Sequence, residues 1–211
     1  MEKTDLSRII REAVQDSMLK EGRKFVPVAS SNKHIHLSRA DVERLFGEGY
    51  KLKELRPLSQ PGQFACEETL TFEGSKGQLK KMRVLGPERS ETQVELAVTD
   101  CFKAGVKPVV RMSGDLAGSP GGKLIGPKGE VVLDKGVIVA ARHLHMSGPQ
   151  AEKFGLKNGD VIKLQKGGER PVIFDKVIVR AGKSHEMEVH VDTDEANAAL
   201  IKNGDLLEII D

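Results

Sequence analysis

Val28-Ala29-Ser30-Ser31-Asn32-Lys33-His34-Ile35-His36-Leu37-Ser38 and, far downstream, Val139-Ala140-Ala141-Arg142-His143-Leu144-His145-Met146-Ser147 are two versions of one pattern. In each, an apolar run leads into His-x-His and then a serine. Together they hold four of the six histidines in a chain of 211 residues. Side chains on an extended backbone alternate between faces, so both imidazoles of a His-x-His point the same way. Imidazole is also the commonest transition-metal ligand among side chains. A single His-x-His more often marks surface or satisfied core histidines, but an accidental pair seldom recurs in the same context. The duplication predicts a metal centre that draws on both halves of the molecule.

The repeat continues past the histidines. Ser38-Arg39-Ala40-Asp41 and Ser147-Gly148-Pro149-Gln150 read as helix starts, each with a serine cap and a polar acceptor three residues on. Pro149 suits a first turn, where its missing N–H costs nothing. Glu43-Arg44-Leu45 then matches Glu152-Lys153-Phe154. Lys157-Asn158-Gly159-Asp160-Val161 is echoed by Lys202-Asn203-Gly204-Asp205-Leu206, a turn feeding a strand. Between these, short runs such as Phe25–Ala29, Lys81–Leu85, Val94–Val98, Gly136–Ala141, Pro171–Arg180 and Glu186–Val191 suit strands. The expected fold is mainly β, with two related β-barrel domains, short capping helices and an N-terminal amphipathic helix. That helix is read from Leu6, Ile9, Ile10, Ala13, Val14, Ser17 and Met18 at helical spacing, stopping at Gly22. It is either a detachable arm or a helix packed on its own body or on a second subunit.

Lys+Arg 33 against Asp+Glu 31 leaves a net charge of +2, and aromatic content is 4%, so neither a basic footprint nor stacking platforms point to nucleic acid. No apolar run reaches transmembrane length, and the charged N-terminus is unlike a signal peptide. Cys66 and Cys101 lack framework spacing and read as reduced, small buried residues of a cytoplasmic protein. In Glu186–Asp192, Met187, Val189 and Val191 share one face while Glu188, His190 and Asp192 share the other, which makes His190 a ligand candidate. His185 reads as a surface turn residue. Arg89 follows a Gly-Pro turn and is either a bidentate clamp for phosphate or carboxylate or a solubilising charge. Glu95, on the strand after it, is a ligand or an exposed glutamate. The Gly-rich Ser113–Gly122 lacks a Gly-Lys-Ser/Thr ending and a following helix, so it reads as a tight loop rather than a P-loop.

Asn32-Lys33-His34-Ile35-His36-Leu37-Ser38, Gly86-Pro87-Glu88-Arg89-Ser90-Glu91-Thr92-Gln93-Val94-Glu95 and Arg142-His143-Leu144-His145-Met146-Ser147 together resemble the PduL-type phosphotransacylases, the phosphate propanoyltransferases of bacterial microcompartments. The resemblance runs from Phe25 to the C-terminus. It implies two β-barrels with a two-zinc active site between them, exchanging coenzyme A for phosphate on a short acyl group such as propanoyl or acetyl. One zinc would be held by His34, His36 and Glu95, the other by His143, His145 and His190, with Arg89 beside the phosphate. Ser31, Arg56, Arg83, Leu85, His190 and Asn197 would contact coenzyme A. The implied domains are an N-terminal helix over 1–24, a barrel from 25–32 plus 141–211, and a barrel from 33–140 with an inserted hairpin near 47–67. The helix would engage a microcompartment shell or promote self-association as a homo-oligomer. His and Glu donors suit zinc, with cobalt, iron or manganese as alternatives. Three protein ligands per metal leave open positions, as catalytic zinc requires. Two other readings stand beside this one: a two-metal hydrolase of a thioester or phosphate ester, and a zinc-stabilised binding or assembly protein.

Overall fold

Glycine, proline and Asx turns cut this sequence into short alternating runs, and a computed structural model describing residues 3–210 folds nearly all of them into strands. In chain order, α1 (Lys3–Lys20) leads into β1 (Lys24–Ser31), β2 (His34–Ser38) and α2 (Arg39–Phe46). Next come β3 (Glu54–Pro57), the hairpin of β4 (Phe64–Glu73) and β5 (Gln78–Arg89), β6 (Gln93–Glu95) and α3 (Val98–Ala104). Short strands β7 (Val110–Arg111), β8 (Gly122–Ile125), β9 (Glu130–Leu133) and β10 (Val137–Ala140) precede β11 (His143–Ser147) and α4 (Gly148–Phe154). β12 (Val161–Lys166), β13 (Val172–Gly182), β14 (Glu188–Asp192), α5 (Thr193–Ala198) and β15 (Leu206–Ile210) complete the chain's elements.

The chain divides into two units. One takes the segment through Ser30, then Arg142–Val191 and the residues from Glu195 on. Its six strands close a barrel in the order β1-β14-β11-β13-β12-β15. The other takes Ser31–Ala141 with Asp192–Asp194. Its nine strands run β7-β10-β6-β2-β5-β4-β8-β9, with β3 on β4, and form a curled half-barrel that stays open. The edge strands β7 and β9 are only two and four residues long, which limits further pairing.

The repeat seen in sequence is a repeat of pairing. β2 lies parallel to β5 and antiparallel to β6; β11 lies parallel to β13 and antiparallel to β14. Both hairpins carry the same irregularity: β4–β5 shifts register between Leu70 and Phe72, and β12–β13 between Ile162 and Leu164. Opposite each shift stands a lysine with left-handed backbone, Lys81 (φ 54°) and Lys176 (φ 55°). A bulge absorbs one extra residue and sharpens the local twist, and both halves use it at the matching place. Ser38 and Ser147 accept hydrogen bonds from Asp41 N and Gln150 N, capping α2 and α4, and the second is a full capping box. The Lys-Asn-Gly-Asp echo is one turn used twice: Lys157 N donates to Asp160 Oδ2 (2.7 Å) and Lys202 N to Asp205 Oδ2 (3.1 Å).

The strand ahead of each His-x-His enters the other unit. β1 precedes His34 yet closes the barrel against β15, while β10 precedes His143 yet pairs with β6 of the half-barrel.

Burial fixes which way the histidines face. Ile35 and Leu37 pack into the half-barrel core with Leu45, Phe72 and Met82, and Leu144 and Met146 pack into the barrel core with Leu164, Phe174 and Leu207. A one-residue slip of β2 or β11 would drive imidazoles into these cores and expose the aliphatic side chains, so register is strongly specified.

The N-terminal helix forms, but it packs by a different face from the one its hydropathy suggests. Gln15 is buried, donating from Nε2 to Phe25 O at 2.8 Å, and Leu19 joins the barrel core. Asp16 pairs with Lys153 on α4 at 2.5 Å. Ile9, Ile10 and Val14 of the anticipated apolar stripe are instead exposed, and the side chain of Leu6 falls outside the described residues. A polar residue wins the buried position because its amide reaches a strand carbonyl, which no hydropathy pattern encodes.

Candidate metal centres

Two adjacent antiparallel strands place directly opposed residues on the same face of a sheet. In the half-barrel, His34 on β2 stands opposite Glu95 on β6, and His36 stands opposite Gln93. These four residues form a square, all of them buried. His34 Nε2 lies 3.4 Å from Glu95 Oε2, and His36 Nε2 lies 3.6 Å from Glu95 Oε1. His34 Nδ1 is engaged by Asn32 O at 2.7 Å, which fixes Nδ1 as the protonated nitrogen and leaves Nε2 facing the square. In the barrel, His143 stands opposite His190 and His145 opposite Glu188. The ring centroids of His143, His145 and His190 lie 4.7–5.1 Å apart.

One ligand atom from each of His34, His36 and Glu95 falls within 4.8 Å of the others, and the same holds for His143, His145 and His190. Three convergent N and O donors on rigid strands are the donor set that suits a zinc-type divalent cation with open coordination positions. Of the expected ligands, the structure gathers all six into these two groups.

The electrostatics of the two groups differ. Burial lowers the His34 pKa, but the Glu95 carboxylate outweighs that effect and leaves it raised. Burial likewise opposes ionisation of Glu95, yet His34 and His36 hold it well below the usual carboxylate range. In the metal-free chain each of His34 and Glu95 thus favours the charged form of the other. His36 is lowered to about 4, chiefly by burial, which the nearby Glu95 carboxylate only partly offsets. His145 is lowered to about 2 by burial together with His143, His190, His185 and Arg180, so it stays neutral and able to donate to a metal.

His36 carries a pH consequence. Its folded pKa of about 4 lies below the unfolded 6.5, so between these values the unfolded chain takes up the proton first. The metal-free protein therefore keeps this stability above pH 6.5 and loses it as pH falls toward 4, by about 2 kcal/mol between pH 7 and pH 5. His34 works in the opposite sense, because a raised folded pKa stabilises below 6.5 and the gain is lost as pH rises through the folded value. Urea midpoints of chelated protein at pH 7 and pH 5, compared with those of His36→Leu, isolate the effect. The acid loss should be smaller in the variant; an equal loss contradicts it.

Around Glu95 a polar network reaches Arg89. Ser113 Oγ accepts from Arg89 Nη1 (3.0 Å) and donates to Glu95 Oε1 (3.1 Å). Gln93 Nε2 donates to Glu95 Oε1 (2.6 Å), and Gln93 Oε1 accepts from Gly114 N (2.8 Å). Arg89 and His36 line a cleft of about 360 Å³ with Pro61, Gly62, Gln63 and Pro87. A guanidinium beside buried imidazoles, open to a cleft, has the chemistry to bind an anion, and Glu88 lines the same cleft.

The other expected contacts are distributed as follows. Arg83 and Leu85 on β5 lie level with His34 and His36, and Arg83 Nη1 donates to Cys66 O and Glu67 O. Ser31 is half-buried at the end of β1, Arg56 is exposed on β3, and Asn197 is exposed on α5.

Sequence reasoning missed four groups. His185, read as a surface turn residue, has Nδ1 2.9 Å from His145 Nδ1. Ser113, read only as part of a loop, bridges Arg89 and Glu95. Arg180 lies level with His145 on β13. Only Gln93, two residues before Glu95 and so on its face, left a readable signal.

The comparisons with known proteins agree with one another. A family model described as phosphate propanoyltransferase matches residues 27–202. A phosphate propanoyltransferase of Thermotoga maritima is 52% identical over 185 residues, covering 87% of this chain and 88% of the relative. Those of Sebaldella termitidis and Clostridioides difficile are 46% and 43% identical, each across 97% of this chain and 96% and 99% of their own. With the match spanning both units and both His-x-His segments, the chain belongs to the phosphate propanoyltransferase family.

Proposed function

We propose that this protein interconverts a short-chain acyl-CoA, propanoyl-CoA or acetyl-CoA, and phosphate with the acyl phosphate and free coenzyme A. His34, His36 and Glu95 would hold one zinc ion and His143, His145 and His190 a second. The observation that carries the reading is the duplicated donor triad, buried in both copies save for the half-buried His190, with one copy joined through Ser113 to a cleft-facing arginine.

Arg89 binds and orients the phosphate, with two N–H groups matched to two oxygens. A phosphate oxygen then attacks the thioester carbonyl carbon, the C–S bond breaks, and coenzyme A leaves as thiolate, to be protonated from solvent. Divalent cations, held by His34, His36 and Glu95 and by His143, His145 and His190, would supply electrophilic stabilisation of charge developing at the carbonyl oxygen. Ser113 holds the Arg89 guanidinium in place, and the buried strand setting of the triads fixes their geometry before substrate arrives. Ser31, Arg56, Arg83, Leu85, His190 and Asn197 are proposed as coenzyme A contacts, with Arg56 and Arg83 supplying positive charge toward its phosphates.

A covalent route through cysteine is disfavoured by the thiols themselves. Burial and nearby carboxylates push Cys66 up to about 12 and Cys101 up to about 11, so neither forms a thiolate near neutrality. Cys66→Ala and Cys101→Ala should each retain activity within about threefold, because no step passes through sulfur. Acyl exchange between coenzyme A molecules without phosphate, abolished by either substitution, would contradict this.

Product analysis tests the function. Acyl phosphate formed in step with free thiol, and only when phosphate is present, is expected; free acid as the product points to a hydrolase instead. We also infer that the exposed Ile9, Ile10 and Val14 on α1 engage a microcompartment shell. Shell colocalisation that survives deletion of residues 1–20 would remove that inference. Among the described residues no helix is long and apolar enough to cross a membrane.

A further inference from the structure

We propose that Glu188 is the fourth protein group of the His143, His145 and His190 cation site, acting on the cation through His190. The inference rests on the metal reading of the triads and adds to it a residue that the triads do not contain.

The structural repeat carries it. Corners His34, His36, Gln93 and Glu95 of the half-barrel square correspond to His143, His145, Glu188 and His190 of the barrel square, by the same pairing of β2 with β6 and β11 with β14. Each square contains one carboxylate, but on neighbouring corners of the β6 or β14 side. In the half-barrel it belongs to the triad, and the neighbouring Gln93 donates to it. In the barrel the triad is three imidazoles and the carboxylate is the neighbour, with Glu188 Oε2 2.8 Å from His190 Nε2. Both side chains are largely sequestered, 14% and 19% exposed.

A histidine that ligates a metal commonly gives its other ring N–H to a carboxylate, which fixes the tautomer and strengthens the ligand. With Nε2–H of His190 donated to Glu188, Nδ1 keeps its lone pair for the cation. His185 engages His145 Nδ1 in the same sense, leaving Nε2 of His145 as its donor. The corner exchange thus preserves one negative charge per square. Three neutral imidazoles alone would leave a divalent cation with its full charge in a buried setting, which is costly. Glu188 supplies the compensation that Glu95 supplies in the other unit.

The test uses the full-length, zinc-loaded chain titrated with a chelator. Wild type should hold two zinc ions. Glu188→Gln keeps side-chain volume without charge, and should release one of them at roughly 10–100-fold lower chelator concentration while the other is unchanged. Glu188→Asp, which restores the charge, should recover part of the loss. In a His36→Ala background, Glu188→Gln should weaken the one remaining ion, which assigns the effect to the barrel site. The visible spectrum of the cobalt-loaded chain should change in Glu188→Gln while its circular dichroism does not, a combination that a merely structural role would not give. A Glu188→Gln chain that keeps both ions at wild-type affinity overturns the role of Glu188 alone. A wild-type chain that binds no zinc at His143, His145 and His190 overturns that role together with the metal reading.

Discussion

His143→Ala should abolish measurable phosphate-dependent acyl transfer and lower bound zinc from two ions per chain to one. The loss in kcat/KM should exceed about 100-fold, because even outer partners of metal ligands cost 10–100-fold when removed. His143 sits at the head of β11, buried and in register with His190, and Leu144 beside it anchors the strand in the barrel core. Truncating the imidazole therefore removes a donor without releasing the strand. Thermal unfolding of the metal-free variant should stay close to that of metal-free wild type, which separates loss of the site from loss of the fold. A variant that retains two zinc ions or wild-type turnover contradicts the assignment.

Arg89→Lys should lower kcat/KM for phosphate by roughly 10²–10³-fold, the cost of removing a positioned donor at a reacting anion. Lysine keeps the charge but not the planar fork, and so cannot grip two oxygens at once. It also cannot reproduce the contact from Nη1 to Ser113 Oγ that fixes the guanidinium. The defect should appear mainly as a raised KM for phosphate, with KM for acyl-CoA changed much less and bound zinc unchanged at two. Equal loss towards both substrates would place Arg89 elsewhere in the reaction.

What the sequence could reveal depended on the range of each interaction. His34 with His36, and His143 with His145, were readable as same-face pairs because a period of two needs only a local strand. The serine caps and the Lys-Asn-Gly-Asp turns were readable for the same reason, since each is settled within four residues. That Glu95 joins the first pair and His190 the second depends on sheet register across long separations. Those two came from a likeness to known proteins, and only the sidedness of His190 was visible locally. The matched bulges at Lys81 and Lys176 had no local signature, because a left-handed lysine is imposed by the hairpin around it. The open edge of the half-barrel was not legible, because it is formed by strands as short as Val110–Arg111 and no period marks those. His185 was misjudged because a turn residue's contacts follow from where the turn folds back, in this case onto His145.

The most direct measurement of the central claim is zinc content alongside product formation, on one preparation before and after chelation and after zinc is restored. Two zinc ions per chain should accompany equimolar acyl phosphate and free coenzyme A; both products should vanish on chelation and return with zinc. Full turnover by a chain that retains no metal would contradict the claim.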